Sequence, residues 1–168
     1  NFKPLKNINI NGNLIIGCSG TKKRDKKEGI TEFIEPLKKI SGIDLKLAIP
    51  QDGNYVKPSM MPSFLNSIDL YVLMSSSEGF PLKALEACSC GRPIISTKVS
   101  GVEDIVVNGK NGFLINRDHD ELIKKVKFLK KNRKLLISMG KKNREIIVNS
   151  WSWKKKIKNW IKFIDANL

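Results

Sequence analysis

An α/β fold with a parallel, doubly wound sheet is what these 168 residues predict, on three observations. Short apolar runs rich in strand formers alternate with stretches whose apolar residues recur every three or four positions, the periods of strand and helix. The run Asp69-Leu-Tyr-Val-Leu-Met74 passes through Ser75-Ser76-Ser77 into a Gly-x-Pro that can open a helix, so strand, loop and helix follow one another directly. The chain has the length of one ordinary domain and no internal repeat, enough for a single core and too little for two. Strands separated by helices pair in parallel, with helices on both faces.

The elements follow in order. Asn13 to Cys18 reads as a first strand and the polar Gly20 to Glu28 as a loop. Ile30, Phe33, Ile34, Leu37 and Ile40 have helical spacing, which predicts a helix over 30–40. Leu45 to Ile49 is a second strand, and Pro50 to Pro58 a loop with room for a short strand at Tyr55-Val56. A short helix from Met60 to Asn66 precedes the Asp69 strand and the Pro81 helix. Strands at Pro93 to Thr97 and Phe113 to Ile115 come next, then helical patterns at 120–131, 133–149 and 151–166.

Around Pro81 the chemistry is concentrated. Pro81 suits the first helical position, where its fixed φ helps and its missing N–H costs nothing, and Gly79 lets backbone approach a ligand. The amides of Leu82 and Lys83 would then be free, and a helix N-terminus at the carboxyl end of a buried strand is an anion site with phosphate as its natural guest. Glu78 and Glu86 would stand at different depths of that site. Carboxylates suit vicinal hydroxyls, so one could hold a sugar ring and the other a ribose. On spacing alone the plainer alternative is a surface ion pair of Lys83 with Glu86 and a solvated Glu78.

Gly17-Cys-Ser-Gly-Thr21, after the first strand, is neither a dinucleotide fingerprint nor a Walker loop. Lys22, Lys23, Arg24, Lys26 and Lys27 beyond it would share the rim with the Pro81 helix, the alternative being a solvated charged loop. Cys18, Cys88 and Cys90 have neither disulfide-framework nor zinc spacing and read as buried small hydrophobes. The single His119 reads as surface decoration near a helix start.

Ser77-Glu-Gly-Phe-Pro81, the run Leu85 to Thr97, Gly101 to Val106 and Asn108 to Ile115 resemble, in order and spacing, the carboxyl-terminal half of retaining GT-B glycosyltransferases, family 4. The similarity continues through Met139 to Arg144 and Trp151-Ser-Trp153, and more weakly back to Leu14. It implies a Rossmann-like, donor-binding half of a GT-B fold over 1–168, inactive by itself and excised from an enzyme whose amino-terminal, acceptor-binding domain is absent. Its implied reaction moves a sugar from a nucleotide-sugar to an acceptor glycan or lipid with retention of configuration. By resemblance Glu78 is the catalytic-site contact to the donor sugar, Gly79, Phe80, Pro81 and Leu82 lie along sugar and phosphate, Glu86 holds the ribose, and Arg24 and Lys27 grip the diphosphate. Neither a metal nor another cofactor is implied.

Two departures from the family stand out. Between Ile49 and Met60 the family has a longer helix and strand that help hold the base; here a short loop remains, in which Tyr55 is a candidate to stack on it. Lys83 replaces a residue that is often apolar or small. Rival functions are a sugar-nucleotide epimerase or phosphorylase of the same fold and, from another class, a basic nucleic-acid-binding module.

The net charge of +15 concentrates in the tail: from Leu122 on, 15 Lys or Arg face Glu145 and Asp165 alone. The choices are a Lys-rich composition, an anionic membrane surface and, least favoured, nucleic acid. Trp153, Ile157, Trp160, Ile161 and Ile164 form one apolar stripe opposite the lysines, expected to close the domain's own core or to face the absent domain. With no membrane-length apolar run and no signal peptide, a cytoplasmic location, peripheral at the membrane, is the expectation.

Overall fold

The structure is a computed structural model and describes residues 2–167. Five parallel strands form one sheet: β1 (Leu14–Ser19), β2 (Ile43–Ala48), β3 (Leu70–Leu73), β4 (Ile94–Thr97) and β5 (Gly112–Ile115), in the order β2-β1-β3-β4-β5. The doubly wound prediction holds in physical detail, because alternate residues of one strand feed two cores. Leu70, Val72 and Met74 pack on one face with Phe33, Ile34, Leu37 and the helices α4 (His119–Lys131) and α5 (Arg133–Ile146). Tyr71 and Leu73 pack on the other with Leu65, Ile68 and the helix α3 (Leu82–Ser89). At about 25 cal/mol per Å² of apolar surface removed from water, these two faces are the main source of stability.

Two expected helices come out differently. The 30–40 stretch is no continuous α-helix: Ile30–Ile34 forms a wide π turn and Glu35–Lys39 a tight 3-10 turn. Pro36, inside the stretch, has no N–H to donate, and its ring excludes the preceding turn from regular geometry. The apolar face survives, with Ile30, Phe33, Ile34 and Leu37 all buried. The helix expected over 133–149 ends at Ile146 and continues as a π turn to Trp151. Tyr55-Val56 forms no strand. Between β2 and β3 stand only turns and a helix of six residues, α2 (Met61–Asn66).

Buried polar groups fasten the elements. Asp69 accepts from the amides of Asn9 (3.1 Å) and Ile15 (3.0 Å) and pairs with Arg133 at 3.1 Å, which straps the amino-terminal segment to the sheet. Asn143 donates to the carbonyls of Arg92 (2.9 Å) and Asn111 (2.8 Å). Arg92 is itself buried among carbonyl acceptors at Ile68 and Lys6. A Cβ on Gly140 would lie 2.2 Å from the Gly91 carbonyl oxygen, so α5 crosses the end of α3 at a spacing that only glycine permits.

The last helix, α6 (Trp153–Asp165), does not close the core: none of its residues is buried, and Trp153 is 81% exposed. Its apolar stripe stays largely exposed, and Trp153 and Trp160 reach no deeper than a groove shared with Phe80, Leu82, Leu85 and Trp151. Among the described residues no helix is long and apolar enough to cross a membrane.

Candidate functional site

Strand order places the site. The chain leaves β1 in one direction to β2 and returns past it to β3, so connections diverge at the carboxyl ends of β1 and β3, and a crevice opens there. A cleft of about 240 Å³ lies at this edge, walled by Ser19 to Thr21 after β1, Ala48 and Pro50 after β2, the loop residue Tyr55, and Lys83 and Glu86 of α3. Arg24 also reaches it.

The basic loop is more ordered than its composition suggests. Lys22–Arg24 is a 3-10 turn capped by the Thr21 side chain, and Asp25–Glu28 is a single α-turn, α1. Gly29, at φ +67°, ends it in the left-handed region. There a side chain would collide with Phe33 and the Met74 carbonyl. Arg117 pins the loop against β3: it donates to the carbonyls of Met74 (3.0 Å) and Lys26 (2.9 Å) and stacks over Phe33 at 4.6 Å. Lys22 is occupied by Glu35 and Asp52, at 3.1 and 3.0 Å. Of the expected diphosphate pair, Arg24 therefore lines the cleft, whereas Lys27 does not and contributes its carbonyl, which accepts from the Ser76 amide at 2.8 Å.

Behind the cleft's wall, in contact with its lining residues Thr21, Arg24 and Lys83, is a group that the sequence does not single out. Glu28 is 5% exposed, with one carboxylate oxygen 3.1 Å from Arg24 Nη2 and 3.2 Å from Lys83 Nζ. The other oxygen accepts from the Thr21 amide at 2.7 Å. Gly20 carries no side chain where a Cβ would stand 2.1 Å from that carboxylate. Lys83 therefore pairs with Glu28 across 55 positions of sequence, not with Glu86 three residues away.

At Pro81 the geometry differs from expectation. Pro81 has φ −83° and ψ 73°, an inverse γ-turn, so it is the cap and Leu82 the first helical residue. The Leu82 amide is consequently not free, since it donates to the Phe80 carbonyl at 3.0 Å. The Lys83 amide finds no acceptor among the described residues and remains available at the helix start. Gly79 sits in open space, where a Cβ would meet nothing within 4 Å, so packing does not require glycine there.

Glu78 is half-buried and accepts from Ser75 Oγ at 2.7 Å, and the Ser75 carbonyl accepts from Thr97 Oγ1 at 2.5 Å. It is braced beside the cleft and does not line it. Phe80 and Leu82 turn their side chains to a separate apolar groove of about 360 Å³, shared with Leu85, Trp151, Trp153 and Trp160. Cys18 and Cys88 are buried thiols pushed up to about 12, and Cys90 to about 11, in each case chiefly by burial. That makes them poor nucleophiles.

The comparisons decide the family. Residues 53–146 match the model of the glycosyl transferases group 1 family. The chain belongs to that family. It is 34% identical over 94 residues to an uncharacterized glycosyltransferase of Methanocaldococcus jannaschii, covering 55% of this chain and 26% of that protein. It is 29% identical over 147 residues to a trehalose synthase of Pyrococcus horikoshii, covering 88% and 35%, and 28% identical over 167 residues to the Staphylococcus aureus capsular polysaccharide glycosyltransferase CapM, covering 85% and 43%. This group 1 domain thus spans well under half the length of these relatives.

Among solved structures, a sucrose-phosphate synthase from Thermosynechococcus elongatus superposes with TM-score 0.81 at 17% identity, covering 99% of this chain and 50% of that one. The carboxyl-terminal domain of the group 1 protein LpcC from Francisella tularensis gives 0.71 at 22%, covering 90% and 96%. Anabaena HepE in complex with UDP-glucose gives 0.75 at 19%, covering 95% and 50%. At these identities the likeness is one of fold, the Rossmann-like domain of GT-B glycosyltransferases.

Glu86 carries a testable electrostatic signature. It is half-buried, and burial raises its carboxyl above the ordinary range, with Lys83 partly opposing the shift. Folding therefore disfavours its ionised form, and the parent loses stability as pH rises from the unfolded value of about 4.3 through the raised folded value. Thermal melts should show Glu86→Gln more stable than the parent at about pH 7 and no different at about pH 3.5. A variant equal to or less stable than the parent at neutral pH would contradict this electrostatic account.

Proposed function

We propose that the chain is the donor-binding domain of a retaining glycosyltransferase, moving a sugar from a nucleotide-sugar to an acceptor glycan or lipid held by a second domain. The supporting observation is the convergence on one cleft of two cations, Arg24 and Lys83, a half-buried carboxylate, Glu86, and an aromatic ring, Tyr55, beside the start of α3. Phosphate, ribose and base need those three chemistries in that succession. The bound UDP-glucose of HepE, a neighbour in fold, is consistent with such a donor.

In this reading Arg24 and Lys83 take the diphosphate, with the Lys83 amide adding a donor at the helix start. The difficult step is growth of charge on the departing diphosphate, and fixed cations and amides stabilise it without reorganising. No metal has a necessary part in that scheme. Glu86 accepts from the ribose hydroxyls, Tyr55 stacks on the base, and Glu78, steadied by Ser75, meets the sugar beside Gly79, Phe80, Pro81 and Leu82. Lys27 is left outside the diphosphate grip.

The cleft is smaller than the roughly 300 to 1,000 Å³ of typical ligand pockets, so a second domain would have to cover the rest of the donor. The exposed stripe of α6 is the surface we assign to it. On the far side of that helix the lysines suit an anionic membrane surface, at about 1 kcal/mol per basic residue near it. Replacing Lys154, Lys155 and Lys158 by Gln, and sparing Lys156, whose Nζ lies 4.0 Å over the Trp151 ring, should abolish low-salt sedimentation with vesicles containing anionic lipid. A parent that does not sediment with them removes the membrane from the account.

The function itself is tested by calorimetric titration with UDP-, GDP- and ADP-sugars, followed by the two glutamates. Glu86→Gln should weaken the nucleoside diphosphate and the nucleotide-sugar alike, by about tenfold, a charged hydrogen bond being worth about 1.5 to 3 kcal/mol. Glu78→Gln should weaken chiefly the nucleotide-sugar. Equal losses for both ligands in both variants would leave neither glutamate with its role.

A further inference from the structure

Glu28 has the position that an anionic ligand would take. Its carboxylate is 5% exposed and meets Arg24 at 3.1 Å, Lys83 at 3.2 Å and the Thr21 amide at 2.7 Å. Those are a phosphate's usual partners, two cations and a backbone N–H at the mouth of a loop. Gly20 leaves room for the carboxylate, where a Cβ would stand 2.1 Å from it. Lys83, as a cleft residue, thus faces its ligand and Glu28 at once.

We propose that Glu28 is a resident counter-ion of the diphosphate site, holding Arg24 and Lys83 in the free protein and yielding them to the phosphates when a nucleoside diphosphate binds. This rests on the donor-site reading above. The exchange has a physical logic on both sides. Without an anion, two cations next to a sheet edge would repel each other and draw the loop open; with the carboxylate, they are held in place. A diphosphate brings more charge and more acceptor oxygens than a carboxylate and can take both cations, but it must do so against the repulsion of Glu28. The carboxylate therefore sets affinity for the anionic part of the ligand, weakening it and favouring release of the product diphosphate.

The test measures calorimetric affinity for UDP and for inorganic pyrophosphate, the second probe being independent of base and sugar. Glu28→Gln keeps the shape and the acceptor for the Thr21 amide while removing the charge, and should bind both ligands about tenfold more tightly, roughly 1.4 kcal/mol. Glu145→Gln, the same charge change at an exposed residue of α5, should leave both affinities unaltered. Lys83→Gln should weaken both. Should the Gln variant not fold, Glu28→Asp draws the charge back by one methylene and should tighten both ligands about threefold, roughly 0.65 kcal/mol. Unchanged or weaker binding in the Glu28 variants, with Lys83→Gln still costing affinity, overturns the counter-ion and leaves Glu28 as a brace of the loop. If parent and variants alike bind neither probe, the donor-site reading falls, and this inference with it.

Discussion

The reversal of chain direction at β1 is the constraint from which the cleft follows. Because β1 lies between β2 and β3, its outgoing connection covers one face of the sheet and the returning one the other. Neither element can then fill the space above the carboxyl ends of β1 and β3, where loops from distant parts of the sequence must meet. Glu28 in the first loop and Lys83 in the third helix come together only for this reason, and Arg117, from beyond β5, can reach back to pin the loop that carries Glu28. Side chains are placed here by topology first and by local preference second.

Within that frame the site is an arrangement of charge. A net charge of +15 would make a sheet edge carrying a basic loop repulsive to itself, yet local pairing neutralises the part of that loop nearest the cleft. Lys22 has Glu35 and Asp52, and Arg24 and Lys83 share Glu28. The more exposed of these pairs contribute little to stability, since surface ion pairs seldom exceed about 1 kcal/mol. Their effect is on position, and on the balance between a resident carboxylate and an incoming anion.

Much of this was legible in the sequence, and the misses have specific physical causes. The strand at Asp69 to Met74 is bounded by its own serines, and Gly79, Pro81 and Glu86 mark the loop and helix that follow, so the element carrying the site could be located without coordinates. Pro36 was visible too, but a regular apolar period across 30–40 concealed what it does to hydrogen bonding. Pro81 looked like a first helical residue because its φ suits one; its ψ of 73° instead closes the turn in which the Leu82 amide donates to the Phe80 carbonyl. Glu28 was hidden because two acids, Asp25 and Glu28, among five basic residues look like solvated charge. Glu28's partner is 55 positions away, and Lys83 offered a nearer apparent partner in Glu86. The fate of α6 was left open by its own pattern, since an amphipathic stripe does not say whether its cover lies in the same domain.

The central claim is that the cleft between β1, the basic loop and α3 is a diphosphate site held by Arg24 and Lys83. A crystal structure of the chain soaked with UDP tests it most directly. The account predicts phosphate oxygens within hydrogen-bonding distance of Arg24, Lys83 Nζ and the Lys83 amide, with the Glu28 carboxylate withdrawn from both cations and the ribose on Glu86. UDP bound elsewhere, or in this cleft with the Glu28 pairs to Arg24 and Lys83 intact and the phosphates in solvent, would contradict it.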